Sequence, residues 1–323
     1  MKQPTVTVVI PNWNGKDVIG KCLNSLQNQT YKPTEIIVVE NGSTDGSAEY
    51  ITKNYPNVKL IIEPKNLGFA GGVNVGIKAA QSDYVWLFNN DAVAQKDCLA
   101  KLVNTAIKNK ANITSAVILD KEGKKIDSDG DVYTMYGFPY PRHRNLGVSA
   151  LPEKDEPIFA ASGGASLYKS SLFTEIGYFE ESFFAYYEDV DLSIRAQLQK
   201  KSIWLSHNAI VLHATSHTSN KIPGFGREMA IRNSIYIFWR DLPKGVQGKI
   251  FWRFLYANWR LSLISMVKGH PYRVLRAHFT ALFYTPQLLK ARREIQSKNK
   301  ITADEFLAMI SRENPFKVLK SRQ

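Results

Sequence analysis

Cysteine is almost missing from this chain: 323 residues contain two, Cys22 and Cys98. Two thiols without metal-ligand spacing exclude both a disulfide framework and a cysteine metal centre. A reduced, cytosolic setting is expected, with both as small core side chains. Long hydrophobic runs are missing too. The nearest approach to the ~18 apolar residues of a spanning helix is IFWRFLYANWRLSLISMV, which Arg253 and Arg260 interrupt. Ahead of the strand-like TVTVVI there is no signal-peptide pattern, and the chain shows neither an internal repeat nor a low-complexity segment. Acidic residues are scarce in one place only. From Lys221 to Gln323 the sequence carries 20 of its 42 Lys and Arg but only 6 of its 29 Asp and Glu, so the net charge of +13 lies entirely in that third.

The composition, 44% hydrophobic and 11% aromatic, is ample for a real core. The length suits one large domain with an appendage. Residues 1–110 alternate strand and helix signals, which predicts an α/β fold with a mostly parallel, doubly wound sheet. TVTVVIP, EIIVVE, VKLIIE and YVWLFNND read as buried strands; Lys16 to Gln29 and Ala48 to Asn54 read as helices. From Ala111 to Pro157 the pattern weakens to short strands and turns. FFAYYEDVDLSIRAQLQKKS opens a helix at its acids, and IWLSHNAIVLH reads as a strand. Residues 223–323 form a basic, aromatic-rich helical extension.

In that extension Lys249, Arg253, Tyr256 and Arg260 fall three or four apart on one helical face, beside Trp252 and Trp259. Such a helix can lie in a membrane interface or be buried with one solvated stripe. Basic excess and aromatics favour an anionic membrane surface as partner. No nucleic-acid recognition motif is present, so a nucleic-acid partner is not expected.

Within residues 1–110 each ligand-like cluster follows a strand, where ligands bind in open α/β sheets. PNWNG offers Trp13 to stack on a base or sugar and Asn14 to hydrogen-bond it, or is simply a turn. ENGSTDGS offers Glu40 at a strand end, or a helix cap. NLGFAGGVNVG resembles the glycine-rich loops through which backbone N–H groups approach phosphate. FNND supplies one certain carboxylate, Asp91, as a hard ligand for Mg²⁺ or Mn²⁺. YYEDVD supplies Glu188, Asp189 and Asp191 at a helix start, and a carboxylate there suits general-base work. Asp191 and Arg195, four apart, are expected as a surface helix pair. VLHATSH carries His213 and His217.

In their order, VVIPNWN, VVENGSTDGS, NLGFAGGVNVG, LFNND, FFAYYEDVDLSIR and VLH resemble the family 2 inverting glycosyltransferases, closest to the bacterial rhamnosyltransferase-like branch. The resemblance runs from about Thr5 to His217. It implies a GT-A fold over residues 1–222, with a nucleotide-sugar-binding half (1–110) and an acceptor-binding half (111–222). By position it implies that Pro11, Trp13, Asn14 and Glu40 line the nucleoside pocket and that Asn66, Gly72 and Asn74 lie by the nucleotide. Asn89 and Asn90 would contact the donor. Asp91 and His213 would hold a divalent cation, Mg²⁺ or Mn²⁺, against the donor's diphosphate. Asp189 would be the catalytic base, Gly163, Gly164 and Glu188 would border the acceptor, and Arg227 and Arg232 would offset charge on the leaving diphosphate.

The implied reaction moves a sugar from dTDP-rhamnose or a UDP-sugar, with inversion, to a hydroxyl of a lipid-linked or other saccharide acceptor. The setting would be peripheral, on the inner face of the plasma membrane. Three positions depart from the common pattern: Glu40 stands in place of Asp, Asn89 in place of the first metal carboxylate, and Val73 in place of Arg. They motivate an alternative, a catalytically silent nucleotide-sugar-binding member of the same fold.

Overall fold

A computed structural model of the chain describes residues 3–213 and 222–322. The strands are β1 (Val6–Asn12), β2 (Glu35–Asn41), β3 (Lys59–Glu63), β4 (Tyr84–Phe88), β5 (Ala92–Ala94), β6 (Ile113–Asp120), β7 (Ile126–Ser128), β8 (Asp131–Tyr133), β9 (Pro139–Pro141), β10 (Glu156–Pro157), β11 (Ala165–Lys169) and β12 (Ile203–His213). The main sheet runs β10-β12-β6-β11-β4-β1-β2-β3. Neighbours β3, β2, β1 and β4 are parallel, as are β6 and β12, while β11 runs antiparallel between β4 and β6. The expected mostly parallel sheet is thus observed, with one reversed central strand.

Central strands are apolar because both faces are covered. Ile10, Trp86, Phe88 and Ile118 meet α1 (Lys16–Gln27), α2 (Ser47–Asn54) and α4 (Cys98–Lys108) on one face. Val9, Val39, Leu87 and Val117 meet α3 (Gly68–Ala79), α5 (Ser170–Ile176) and α6 (Glu188–Leu198) on the other. Cys22 and Cys98 are fully buried thiols in the first layer. The glycine-rich entry to α3 is used for close packing. A Cβ on Gly76 would lie 2.3 Å from Val9 Cγ1, so only glycine lets this helix approach the sheet.

Several elements were not legible in the sequence, helix α4 and strand β5 among them. Strand β6, buried almost throughout, lies in the weakly patterned region, and β11 follows the glycine pair directly. Helices α7 (Phe225–Arg240), α8 (Val246–Val267), α9 (Pro271–Ser297), α10 (Ala303–Met309) and α11 (Pro315–Ser321) follow. They share a third core with the sheet domain, in which Tyr236, Phe238, Phe254 and Phe306 pack with Tyr133, Phe159, Phe183 and Val190.

Asp191 and Arg195 do pair, but not on the surface. Asp191 is wholly buried and its Oδ2 accepts from Arg195 Nη2 at 2.6 Å. Its other oxygen accepts from Arg240 of α7, which also reaches Asp241 and Glu180. The correction has a simple cause: α7 covers this face of α6, and helical spacing alone cannot reveal a cover from 49 residues away. The two arginines hold the Asp191 carboxyl below its ordinary range although burial alone pushes it up.

Candidate active site

The C-terminal ends of β1, β4 and β12 open into a cavity of about 950 Å³. At its floor β4 ends and β5 turns back, pairing Ala92 with His213 of β12. This pairing carries His213 to Asp91 across 122 residues; His213 Nε2 lies 3.0 Å from Asp91 Oδ1. The other ring nitrogen, Nδ1, lies 2.9 Å from Asp127 Oδ2 on β7, which β6 holds alongside. Arg144 in turn binds Asp127 at 3.0 Å. Burial works against a charged His213, but the hydrogen bonds to Asp127 and Asp91 outweigh it, leaving its pKa raised to about 9. The Asn89 amide nitrogen sits 3.2 Å from His213 Nε2.

Asp91 offers the hard oxygen that Mg²⁺ or Mn²⁺ takes, and the facing imidazole nitrogen is a donor that Mn²⁺ accepts more readily than Mg²⁺. Asp127, bound to the far ring nitrogen, fixes the orientation of the imidazole so that Nε2 faces Asp91. Among the described residues no three His, Cys, Asp or Glu converge in metal-holding geometry. His217 lies outside the described residues.

The facing wall carries the acids of α6. The approach to this helix is strained: Phe184, Tyr186 and Tyr187 all have φ between 63° and 70°, a left-handed conformation disfavoured for bulky residues. Helix α7 holds it there. Asn233 Nδ2 reaches the carbonyls of Phe183, Ala185 and Tyr186 at 3.1, 2.9 and 2.6 Å. Arg232 Nη2 donates to Ser182 and Phe183 at 3.2 and 2.6 Å.

Asp189 Oδ2 accepts from the Gly163 N–H at 2.9 Å and Oδ1 from the Val190 N–H at 2.8 Å. Burial raises its pKa, and these two N–H groups oppose the rise. Burial followed by the Asp189 charge pushes Glu188 well above its ordinary value; only its own backbone N–H opposes the rise, and its Oε2 has no hydrogen-bond partner. Asp131, across the cavity, is pushed up likewise by burial and then by Asp189. Asp189 is therefore the acid of this group best fitted to ionise and accept a proton. The glycine pair is closely packed. A Cβ at Gly164 would come 2.9 Å from Asn89 Nδ2, and one at Gly163 would come 3.1 Å from Phe69 Cε1.

Of the expected donor residues, Pro11, Trp13, Asn66, Asn89 and Asn90 line the cavity. Others act behind the wall. Glu40 is buried and binds Asn12 Nδ2 at 2.9 Å and the Ser43 hydroxyl, while Asn12 Oδ1 takes Asn90 Nδ2 at 2.7 Å. Asn14 Oδ1 accepts from the Thr44 N–H at 2.8 Å, pinning the β1 and β2 loops together. A Cβ on Gly72 would lie 3.2 Å from Pro11 Cβ, which makes this glycine a packing contact. Asn74, expected beside the nucleotide, is instead buried against Phe179, with bonds of 2.8 and 3.1 Å to its carbonyl and N–H. The reason is its face: it points from α3 toward the 179–181 loop. Arg227 is half-buried outside the cavity wall, and Arg232 is on the wall but committed to backbone carbonyls.

Sequence reasoning missed Asp127, Asp131, Asn233, Glu228, Arg273 and Arg276. The run DSDGD, Asp127 to Asp131, was the one signal that could have found the first two.

The family model for glycosyl transferase family 2 matches residues 7–177. Over 253 residues the chain is 29% identical to N-acetylglucosaminyl-diphospho-decaprenol L-rhamnosyltransferase of Mycobacterium tuberculosis, covering 70% of this chain and 81% of that one. It is 30% identical over 207 residues to poly(ribitol-phosphate) beta-glucosyltransferase of Bacillus spizizenii, covering 62% of this chain and 31% of that one. Among solved structures, S. aureus TarS 1-349 superposes with a TM-score of 0.53 at 18% identity, covering 91% of this chain and 90% of that one. Mannosyltransferase PcManGT from Pyrobaculum calidifontis, in complex with GDP-Man and Mn²⁺, does so with a TM-score of 0.54 at 16% identity, covering 95% and 84%. These likenesses identify the architecture as the GT-A fold.

Proposed function

The chain belongs to glycosyl transferase family 2, and from that premise we propose that it moves a sugar from a nucleotide-diphosphate donor to an acceptor hydroxyl with inversion. The observation that carries this reading is the placement of Asp189. Its carboxylate is held by the Gly163 N–H in the same cavity as the Asp91–His213 pair. Asp189 takes the proton of the acceptor hydroxyl. That oxygen attacks the anomeric carbon from the face opposite the nucleotide, the bond to the diphosphate breaks, and the configuration inverts. Trp13, Pro11 and Asn66 seat the nucleoside, and Asn89 and Asn90 contact the donor. A divalent cation bound at Asp91 and His213 would offset charge developing on the leaving diphosphate.

Donors of the dTDP-rhamnose or UDP-hexose class are favoured by the rhamnosyl and glucosyl transferases among its relatives. The acceptors in those relatives' names, a diphospho-decaprenol-linked sugar and poly(ribitol phosphate), also support a lipid-linked or cell-surface polysaccharide precursor as acceptor. Among the described residues no helix is long and apolar enough to cross a membrane. Helices α8 and α9 nevertheless expose aromatic stripes: Trp252, Leu255, Trp259 and Leu263 on one, Leu275, Phe279, Leu282 and Phe283 on the other. With the basic excess of this region, they support peripheral docking on an anionic bilayer, at the inner face of the plasma membrane.

The direct test is nucleotide release from a panel of dTDP-rhamnose and UDP-hexoses with Mg²⁺ or Mn²⁺. Failure to bind any nucleotide sugar would sink the proposal.

A further inference from the structure

The cavity is electrically divided. Its floor and one wall are acidic, with Asp91, Asp127, Asp131, Glu188 and Asp189, whereas the end built by α7 and α9 carries Arg232, Arg273 and Arg276 around Glu228. Glu228 is buried. Its Oε2 accepts from Arg273 Nη1 at 2.8 Å, and its Oε1 lies 3.3 Å from Arg276 Nε. One carboxylate balancing two guanidinium groups leaves a net positive charge, and the Arg276 side chain is 55% exposed. Arg232 lies close enough to feel both partners, its guanidinium favoured by Glu228 and disfavoured by Arg276.

We propose that Arg273 and Arg276, preset by Glu228, form a subsite for the phosphate or diphosphate of an amphiphilic acceptor, separate from the donor's diphosphate site. The position of the pair on α9 argues for an amphiphile. Leu275 lies between the two arginines in sequence and Phe279 one turn beyond Arg276, and both are exposed on that helix. An anion seated on the forked guanidinium groups thus has an apolar surface beside it for a hydrocarbon chain. The donor's diphosphate belongs at the opposite, Asp91–His213 end, where a cation can mediate between like charges. Two phosphate-bearing ligands then occupy one cavity without sharing a counter-charge. This inference rests on the transferase reading, from which it takes the existence of a separate acceptor.

The probe is geranylgeranyl diphosphate below its aggregation concentration, titrated calorimetrically into the full chain in EDTA. Geranylgeraniol and inorganic pyrophosphate are the comparison ligands, and UDP or dTDP with Mn²⁺ is measured separately. The prenyl diphosphate should bind at least about tenfold more tightly than either comparison ligand, and Arg276→Gln should weaken it about tenfold. Glu228→Gln, nearly isosteric, keeps an amide oxygen to hold the guanidinium groups but removes the charge that offsets them, and should tighten it several-fold (a direction that loss of packing would not give). Nucleoside diphosphate affinity should be unchanged in Arg276→Gln. Equal binding of the alcohol, no effect of Arg276→Gln, or parallel loss of nucleoside diphosphate would overturn the subsite. Should Glu228→Gln fail to fold by thermal melting, Arg276→Gln against Arg276→Lys decides, because lysine keeps the charge and loses the fork. Failure of the transferase reading shows itself separately, as absent nucleotide binding by the unmodified chain.

Discussion

Asn233 Nδ2 lies 2.6 Å from the Tyr186 carbonyl, three residues ahead of Asp189 in the chain. A residue of the C-terminal region thereby fixes the backbone that aims the candidate base. Asn233→Ala leaves the carbonyls of Phe183, Ala185 and Tyr186 without this donor. The expected stability loss is about 1–3 kcal/mol, and misaiming the base should lower kcat on the order of 10²-fold. Nucleotide affinity should stay unchanged, since Trp13 and Asn66 sit on other elements. A fall in melting temperature with unaltered kcat would refute the positioning role.

Asp189→Asn should lower turnover by roughly 10²–10⁴-fold with donor binding intact. Because burial raises the Asp189 pKa, and because the base works only when ionised, activity should rise with pH through a value above that of an ordinary aspartate. An acid limb at or below the ordinary Asp value would contradict the buried environment described above.

At the floor of the cavity, Asp91→Ala should remove Mn²⁺ binding, followed by electron paramagnetic resonance, together with activity. Asn89→Ala should only weaken both, because an amide oxygen is a poor ligand beside a carboxylate. Equal losses would mean that Asn89 matters as much as Asp91.

Away from the cavity, the buried Asp191–Arg195–Arg240 network gives a stability test. Asp191→Asn leaves two buried guanidinium groups without their shared partner, an expected loss of about 3–5 kcal/mol. The Asp191 carboxyl is lowered in the folded chain. Its contribution is therefore full above the ordinary carboxylate pKa and fades as pH falls through the lowered one. Denaturant midpoints should drop on acidification in the parent chain and respond less in the variant.

For the membrane reading, Trp252 and Phe283 are 79% and 77% exposed. Replacing both with Ser should reduce sedimentation with anionic vesicles several-fold while nucleotide release in solution persists. Undiminished vesicle binding would remove these stripes from the contact. A concentration-dependent dimer lost in the variant would assign them to a second copy instead.

Much of the fold was legible because its signals are local. β-branched runs ended by Pro11, Asn41 or Asn89 declare buried strands, and the order of clusters from VVIPNWN to VLH carries the family resemblance. The site was legible more unevenly. Pro11, Trp13 and Asn66 reach the cavity, whereas Asn74 turns to Phe179 and Glu40 supports Asn12 from behind. A residue's type and place in a motif do not specify which way its side chain faces. The α7 and α9 contributions were illegible for another reason: Asn233, Glu228, Arg273 and Arg276 sit in helical patterns that look like any basic amphipathic tail.

Period and turn chemistry, written within a few residues, were enough to place FNND at a strand end and YYEDVD at a helix start of an α/β fold. The sequence by itself also determined that the basic excess lies behind Lys221. Only the tertiary structure decided what those acids became. Pairing of β5 with β12 made Asp91 and His213 neighbours, packing of α7 made Asp191 a buried ion and Asn233 a clamp, and the Gly163 N–H set Asp189 apart from Glu188. Burial, long-range pairing and the local dielectric fix a carboxylate's charge and aim, and none of these is a property of the residues beside it in the chain.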